Sequence, residues 1–332
     1  MPTPATTTPF FIVGNPRSGT NLLKFLTSSH EHLWVQETGF IPYLRVSPDE
    51  PMSRAAVRRL LIRIGELNRF WRDMVTDVDA FCDALPAPKL GPLLDALYRQ
   101  HARGVGAVRW GDRTAAYVSQ IARLARIFPD AQFVHIIRDG RDTVLSSMKA
   151  MAEGRPYMDH YYLLKHWARR VAAGQAAGRE LSADRYHEVR YEQLVADPAP
   201  HMQRLCDFLG ERFEPAMLDP KTRERFAPKG TNLGKPISTS SVGRWRKEMT
   251  PFEQKLADRV VGHDLAALGY ELADLGPFSM AERARFLALA AKFTASDAAR
   301  NALYAVGARK AILWEARSNW RPAAEPVSPA AR

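Results

Sequence analysis

The segment FFIVGNPRSGTNLLKFL, residues 10–26, constrains the fold most, because it passes from an apolar strand through a glycine turn into an apolar helix. Gly14 and Gly19 have the spacing of a phosphate-binding loop, yet Thr20 and Asn21 stand where such loops carry Lys and Ser/Thr. Backbone amides at the start of a helix bind an anion even without that lysine. The segment therefore predicts a phosphate site, with a plain strand-to-helix turn as the alternative.

Strands and helices alternate along the rest of the chain. QFVHII at 132–137 and YHEVR at 186–190 predict strands. Apolar periodicity predicts helices, at 53–81, 93–104, 116–128 and 201–210. This alternation favours an α/β fold of the P-loop type, a parallel sheet with helices on both faces. We expect one domain over 8–275, a helical extension over 276–321 and a disordered tail over 322–332.

Composition limits the classes of partner and compartment. The 332 residues carry a formal net charge of +11, which favours polyanionic partners. Signatures of nucleic-acid recognition are missing, so no nucleic-acid partner is expected. Cys82 and Cys206 lie far apart, without the spacing of a zinc site or a disulfide framework. With neither a signal peptide nor an apolar span in the sequence, we predict a cytoplasmic protein without a transmembrane segment.

A second strand-to-helix junction lies at HIIRDGRDTVLSSMK. Arg138 ends the predicted strand and Ser146 follows eight residues later, so both could face one phosphate at the carboxyl edge of the sheet. Arg17, in the first loop, has a planar guanidinium suited to phosphate. A solvated Arg–Asp cluster that caps the helix is the alternative for this junction. The apolar strand 132–137 ends in Arg138 rather than in an Asp that could bind Mg²⁺.

At these two junctions the sequence resembles the sulfotransferases that use 3′-phosphoadenosine 5′-phosphosulfate (PAPS). The resemblance is sharper to the tyrosylprotein sulfotransferase branch and its bacterial relatives. It rests on four segments, in order between about residues 10 and 272: ETGFIPY, IIRDGRDTVLSS, RYEQLVADP and KPISTSSVGRWRK. The resemblance implies two groups of donor-binding residues. The 5′-phosphosulfate group is Arg17, Ser18, Gly19, Thr20 and Asn21. The 3′-phosphate group is Arg138 and Ser146.

The resemblance also implies roles in catalysis. Glu37 of ETGFIPY is the expected general base, and Arg17 and Arg113 are expected to stabilise the leaving phosphate. Histidine serves as the base in other branches, so His30 and His32 remain alternatives. Five positions depart from the branch, with Arg113 for Lys, Ala115 for Pro, Gly243-Arg244 for Ser-Lys and Asn21 for Thr.

Other residues near the expected site have secondary roles. Tyr191 and Arg244 are expected to contact the nucleotide, with a strand-end aromatic of the core as the alternative for Tyr191. Asp112 is expected to orient Arg113, with a second base as the alternative. Residues 220–247, rich in Gly, Pro, Ser and Thr, are expected to close over the donor as a lid. Segments 40–105 and 151–180 are expected on the acceptor side.

The resulting hypothesis is in-line transfer of a sulfuryl group from PAPS to a hydroxyl of a sugar, a phenol, a peptide tyrosine or a lipid headgroup. The expected product is the desulfated nucleotide 3′-phosphoadenosine 5′-phosphate (PAP), and no metal is expected. Two alternatives remain, a P-loop kinase of a small molecule and a non-catalytic basic adaptor acting through residues 280–321. The extension could also form a homodimer or contact a membrane surface, although packing on the domain is the default.

Overall fold

A single sheet organises the chain. The computed structural model describes residues 7–44, 46–67, 77–150, 158–224 and 236–305. The strands are β1 (Phe10–Gly14), β2 (Leu33–Gln36), β3 (Arg109–Asp112), β4 (Gln132–Ile137) and β5 (Tyr186–Arg190). They lie in the order β2-β3-β1-β4-β5, and every neighbouring pair is parallel. The predicted parallel α/β fold is confirmed.

Helices connect these strands. Those in the first half are α1 (Thr20–Ser28), α2 (Arg54–Leu67), α3 (Val78–Asp83), α4 (Leu90–Gly104), α5 (Ile121–Ile127) and α6 (Gly140–Ala150). Those in the second half are α7 (His160–Arg179), α8 (Tyr191–Ala196), α9 (Pro198–Leu209), α10 (Pro220–Glu224), α11 (Trp245–Glu248), α12 (Pro251–Ala267) and α13 (Met280–Ala305). Short 3₁₀ turns lie at Ile41–Tyr43, Ala115–Gln120, Pro215–Leu218 and Thr239–Ser241.

The sheet is buried on both faces. Along β1, Phe11 and Val13 join the cluster that contains α4 and α5, while Phe10 and Ile12 join the cluster on the other face with Leu23 of α1. Alternate side chains of a strand point to opposite faces, so a strand covered on both sides is apolar throughout. Because all five strands are parallel, their carboxyl ends meet at one edge, where ligands of such sheets bind.

Two predicted helices differ in the structure. The periodic segment 53–81 contains α2, which ends at Leu67, and a separate helix α3, while residues 68–76 lie outside the described ranges. Asp77 starts α3 as its N-cap, its side chain accepting the Ala80 amide at 2.9 Å. The segment 116–128 begins as a 3₁₀ turn and becomes α5 only at Ile121. Strands β2 and β3 have four residues each, too few for a clear periodic signal.

The last described helix, α13, packs on the domain. Its Phe293 is buried, 5.5 Å from the Tyr161 ring of α7. Glu282 of α13 pairs with Lys255 at 3.1 Å, adding a polar contact to α12. The rest of the predicted extension and the predicted tail lie outside the described residues. Within the described part of the chain, no helix combines the length and the hydropathy that crossing a membrane requires.

Candidate active site

The loop between β1 and α1 forms a tight anion-binding turn. Gly19 has φ 97° and Arg17 has φ 73°, and the Ser18 amide donates to the Asn15 carbonyl at 3.1 Å. A Cβ on Gly19 would overlap the Tyr191 ring, so the position needs glycine for both its φ and its space. The turn leads straight into the N-terminus of α1, where backbone amides and the helix dipole favour an anion.

Several buried donors around this turn lack a partner among the described residues. They are the Ser18 hydroxyl and the Nε groups of Arg113 and Arg138. Buried polar groups are almost always hydrogen-bonded, so unpaired donors of this kind fit an anionic ligand. These hydrogen-bond donors therefore suit a phosphorylated or sulfated ligand, which is negatively charged and accepts hydrogen bonds.

The residues expected to hold a 3′-phosphate lie together beside the loop. Arg17 donates from Nε to the Ser146 hydroxyl at 3.0 Å, across 129 positions of sequence. Arg138 donates from Nη1 to the Arg17 carbonyl at 3.2 Å and from Nη2 to the Ser241 carbonyl. Its guanidinium also lies 4.3 Å from the centre of the Tyr191 ring. The Arg17 side chain thus lies on the side of Ser146, rather than of Glu37.

A carboxylate and a guanidinium face each other at the ends of β2 and β3. Arg113 donates from Nη1 to Oε1 of Glu37 at 3.1 Å and from Nη2 to Oε2 at 2.6 Å, a bidentate pair. Burial lowers the pKa of Arg113, and the Glu37 charge acts against this effect. The Arg113 amide donates to the Gln36 carbonyl at 2.6 Å, and this hydrogen bond joins the carboxyl ends of β2 and β3.

Asp112 has a different role from the expected one. Its buried carboxylate accepts hydrogen bonds from three hydroxyls, those of Thr38 at 2.5 Å, Tyr98 at 2.6 Å and Thr114 at 2.7 Å. The expectation that Asp112 orients Arg113 is therefore wrong. Burial raises the pKa of Asp112, while these hydrogen bonds oppose that change. Because Thr38 directly follows Glu37, this hydrogen-bond network fixes the backbone next to the candidate base.

The two histidine alternatives lie away from this pair. His32 precedes β2, and its carbonyl accepts from the amide of Arg109 at the start of β3, the amino edge of the sheet. His30 accepts the His32 amide on Nδ1 at 3.1 Å and contacts the Arg212 carbonyl through Nε2 at 2.9 Å. Both ring nitrogens of His30 are thus engaged in hydrogen bonds. His30, His32 and Glu211 lie close together, but with no free nitrogen on His30 this group is unsuited to a metal ion.

The described part of the expected lid is tied to α6. The Asp142 carboxylate accepts from the amide of Gly243 at 2.7 Å and from that of Trp245 at 3.0 Å. These bonds fix the turn that carries Arg244, whose Nε lies 3.2 Å from the Glu248 carboxylate. Residues 225–235 lie outside the described ranges, so closure of the segment stays a prediction.

A cavity of about 90 Å³ lies against the start of the loop. Asn15 and Pro16 form one wall, and Ser147, Tyr162 and Arg170 of helices α6 and α7 contribute to the others. Arg170 donates to the Asn15 side chain at 3.0 Å, and burial lowers its pKa. Tyr162 and Arg170 belong to segment 151–180, which is expected on the acceptor side and of which residues 158–180 are described.

Sequence reasoning missed three residues of this region, Lys24, Asp142 and Arg170. Lys24 lies four positions after Thr20 on α1, a spacing that places both on one helix face, and this was a readable signal. Asp142 and Arg170 had no such signal, because their partners at the site are 101 or more positions distant.

Comparison with known proteins gives one family. The sequence pattern described as "Sulfotransferase family" matches residues 9–215. Protein-tyrosine sulfotransferase 1 of Danio rerio is 27% identical over 277 residues, covering 79% of this chain and 72% of that protein. The Drosophila melanogaster protein-tyrosine sulfotransferase is 24% identical, and the match covers 79% of this chain but only 51% of the fly protein.

Solved structures show the same fold. The sulfotransferase domain of the Synechococcus PCC 7002 olefin synthase superposes with a TM-score of 0.55 at 23% identity, covering 82% of this chain and 98% of that domain. The sulfotransferase domain from the curacin biosynthetic pathway superposes with a TM-score of 0.53 at 19% identity, covering 80% and 99%.

Proposed function

The chain belongs to the sulfotransferase family, and from that premise we propose that it moves a sulfuryl group from PAPS to a hydroxyl, leaving PAP. The family match confirms the resemblance seen in the sequence. The donor, the acceptor and the role of each residue are parts of the proposal.

One observation carries the choice of donor. Arg17 of the first loop comes together with Arg138 and Ser146 of the second strand-to-helix junction, next to the unpaired Ser18 hydroxyl. Two guanidiniums and a hydroxyl beside a phosphate loop suit a nucleotide with a second phosphate in addition to its 5′ group. ATP has no 3′-phosphate, so this arrangement favours PAPS over ATP.

The other proposed contacts with PAPS are inferred from where the residues lie around the loop. Gly19, Thr20 and Asn21 present the start of α1 to the 5′ end of the nucleotide. Tyr191 packs on the loop, and Arg244 lies on the turn that Asp142 holds. These residues supply oriented dipoles and positive charge, so we propose that transfer needs no metal ion.

In sulfuryl transfer the protein contributes mainly by positioning the reactants and stabilising charge, rather than by forming covalent intermediates. PAPS supplies an activated sulfuryl group on a phosphate leaving group, and transfer is in line between two oxygens. Glu37 takes the proton of the acceptor hydroxyl, and Arg113 stabilises negative charge at the reacting centre. Their bidentate pair keeps both groups oriented before the acceptor arrives.

For the acceptor we propose a phenolic hydroxyl, with a peptide tyrosine as the first candidate. The Danio and Drosophila relatives are named as protein-tyrosine sulfotransferases.

The test uses PAPS labelled in its sulfate, with EDTA present, and three acceptors: a tyrosine peptide, a simple phenol and a sugar. We expect label in the peptide and the phenol. Label in the sugar alone would overturn the acceptor while leaving sulfuryl transfer intact. Phosphate transfer from ATP that requires Mg²⁺, with no transfer of label, would overturn the proposed function.

A further inference from the structure

Lys24 lies on the face of α1 that leads to the candidate active site. Helix α1 begins at Thr20, and Lys24 follows one turn later on the same face. Long side chains of a helix lean back toward its N-terminus, which here is the phosphate loop. The Lys24 ammonium interacts electrostatically with Arg113, Glu37 and Asp112, the groups at the ends of β2 and β3.

This ammonium is not committed to a partner. Lys24 is half-buried, and within the described ranges its Nζ makes no ion pair and no hydrogen bond to a side chain or a carbonyl. The Phe25 ring is 5.7 Å away, and Glu37 is already held by both Nη groups of Arg113. Since Glu37 is already paired with Arg113, the Lys24 ammonium is left to interact with an anion bound at this site.

We propose that Lys24 is a further catalytic residue of the sulfuryl transfer, whose ammonium takes over the part of the lysine that the loop lacks at position 20. The inference rests on the proposed function. As the sulfur–oxygen bond to the leaving phosphate breaks and the bond to the acceptor oxygen forms, Lys24 holds the negative charge on the transferring group. Lys24 keeps its proton, and Glu37 receives the proton of the acceptor.

The surroundings of Lys24 give the proposal a measurable signature. Burial, followed by the charge of Arg113, lowers the pKa of Lys24 from 10.5 to about 8, while Glu37 and Asp112 oppose this change. The ammonium is charged below that value and neutral above it. If charge is what Lys24 contributes, kcat falls as the pH rises through about 8. Tyr98 donates a hydrogen bond to Asp112, one of the carboxylates that act on Lys24. Burial raises the pKa of Tyr98 well above 10.0, so Tyr98 stays neutral near pH 8.

The experiment compares Lys24→Met and Lys24→Arg with Lys89→Met, a change at an exposed lysine at the start of α4. We measure kcat, the pH profile of kcat, PAP affinity and Tm for each full-length variant. We expect Lys24→Met to lower kcat by roughly 100-fold, the usual cost of losing one charge-stabilising donor. Lys24→Arg should recover part of the rate and move the alkaline decline to higher pH. Lys89→Met should behave like the wild type.

Thermal stability separates a catalytic from a structural lysine. Removing an unpaired, half-buried charge should leave the Tm of Lys24→Met at or above that of the wild type. An unchanged kcat and an unchanged alkaline limb in Lys24→Met would overturn the proposal, although the wild-type transfer would still stand. A rate that rises through pH 8 would make Lys24 a base, and unfolding of both variants would make it structural; either result overturns the proposal. Absence of sulfuryl transfer by the wild type would instead overturn the proposed function.

Discussion

At the scale of single residues, the chemistry depends on one carboxylate and the guanidinium that holds it. Glu37 and Arg113 meet across 76 positions of sequence and lie at the ends of neighbouring strands. Resemblance suggested both residues, but nothing in the sequence showed that they pair. Asp112, adjacent to Arg113, was given the wrong role because consecutive side chains of a strand point to opposite faces.

Replacing Glu37 tests the proposed base. Glu37→Gln keeps the shape of the side chain and removes its ability to accept a proton, so we expect kcat to fall by about 100- to 10,000-fold. PAP affinity should stay within a few fold of the wild type. Glu31→Gln, at an exposed glutamate at the amino edge of the sheet, is the matched control. A kcat for Glu37→Gln equal to that of this control would show that Glu37 is not the base.

Replacing Asp112 tests the network beneath that pair. Asp112→Asn exchanges one accepting oxygen for a donor among three hydroxyl donors, and a buried polar mismatch of this kind costs about 1–3 kcal/mol. We expect a lower free energy of unfolding, measured by urea titration. If Asp112→Asn is as stable as the wild type, the three hydroxyls do not depend on the carboxylate.

At the scale of elements, the two strand–loop–helix units were predictable because each is continuous in sequence. Each unit, 10–28 and 132–150, carries an apolar run, a turn and a helix within a short stretch of chain, which local patterns describe well. β2 and β3 were missed, since four residues give little periodicity. The contacts between elements, such as that of Asp142 with the turn at 243–245, depend on the assembled fold.

The shape of the loop can be tested at Gly19. Gly19→Ala places a Cβ in the Tyr191 ring at a φ of 97°, and we expect a loss of PAP affinity of roughly 10- to 100-fold, from about 1–3 kcal/mol of strain. Gly104→Ala is the control, because a Cβ at the end of α4 meets open space. Equal PAP affinities for the two variants, by isothermal calorimetry, would mean that the nucleotide does not use this turn.

The anchor of the expected lid can be tested at Asp142. Asp142→Ala removes the carboxylate that accepts two backbone amides, and we expect PAP affinity to fall about 10-fold as the turn carrying Arg244 loosens. Asp130→Ala, at an exposed position before β4, controls for the loss of one negative charge. The two variants should differ in a PAP titration; matching affinities would remove the turn from the donor site.

At the scale of the whole molecule, the described part of the extension packs on the domain, and we propose that it takes no part in the transfer. Phe293 of α13 is 7% exposed and packs on α7, so Phe293→Ala should lower the free energy of unfolding by about 3 kcal/mol. PAP affinity and kcat should not change under conditions where the variant is folded. If Phe293→Ala abolishes activity while the protein stays folded, the basic extension is functional, as the adaptor hypothesis requires.

The central claim is that the site accepts a nucleotide with a 3′-phosphate rather than ATP. The most direct measurement is calorimetric titration of the wild-type protein with PAP, with adenosine 5′-phosphate and with ATP, each in EDTA and then in Mg²⁺. The arrangement of Arg17, Arg138 and Ser146 predicts tight binding of PAP that is indifferent to Mg²⁺, and much weaker binding of the other two. Arg138→Ala should remove most of that preference. Tighter binding of ATP than of PAP, or a requirement for Mg²⁺, would contradict the account.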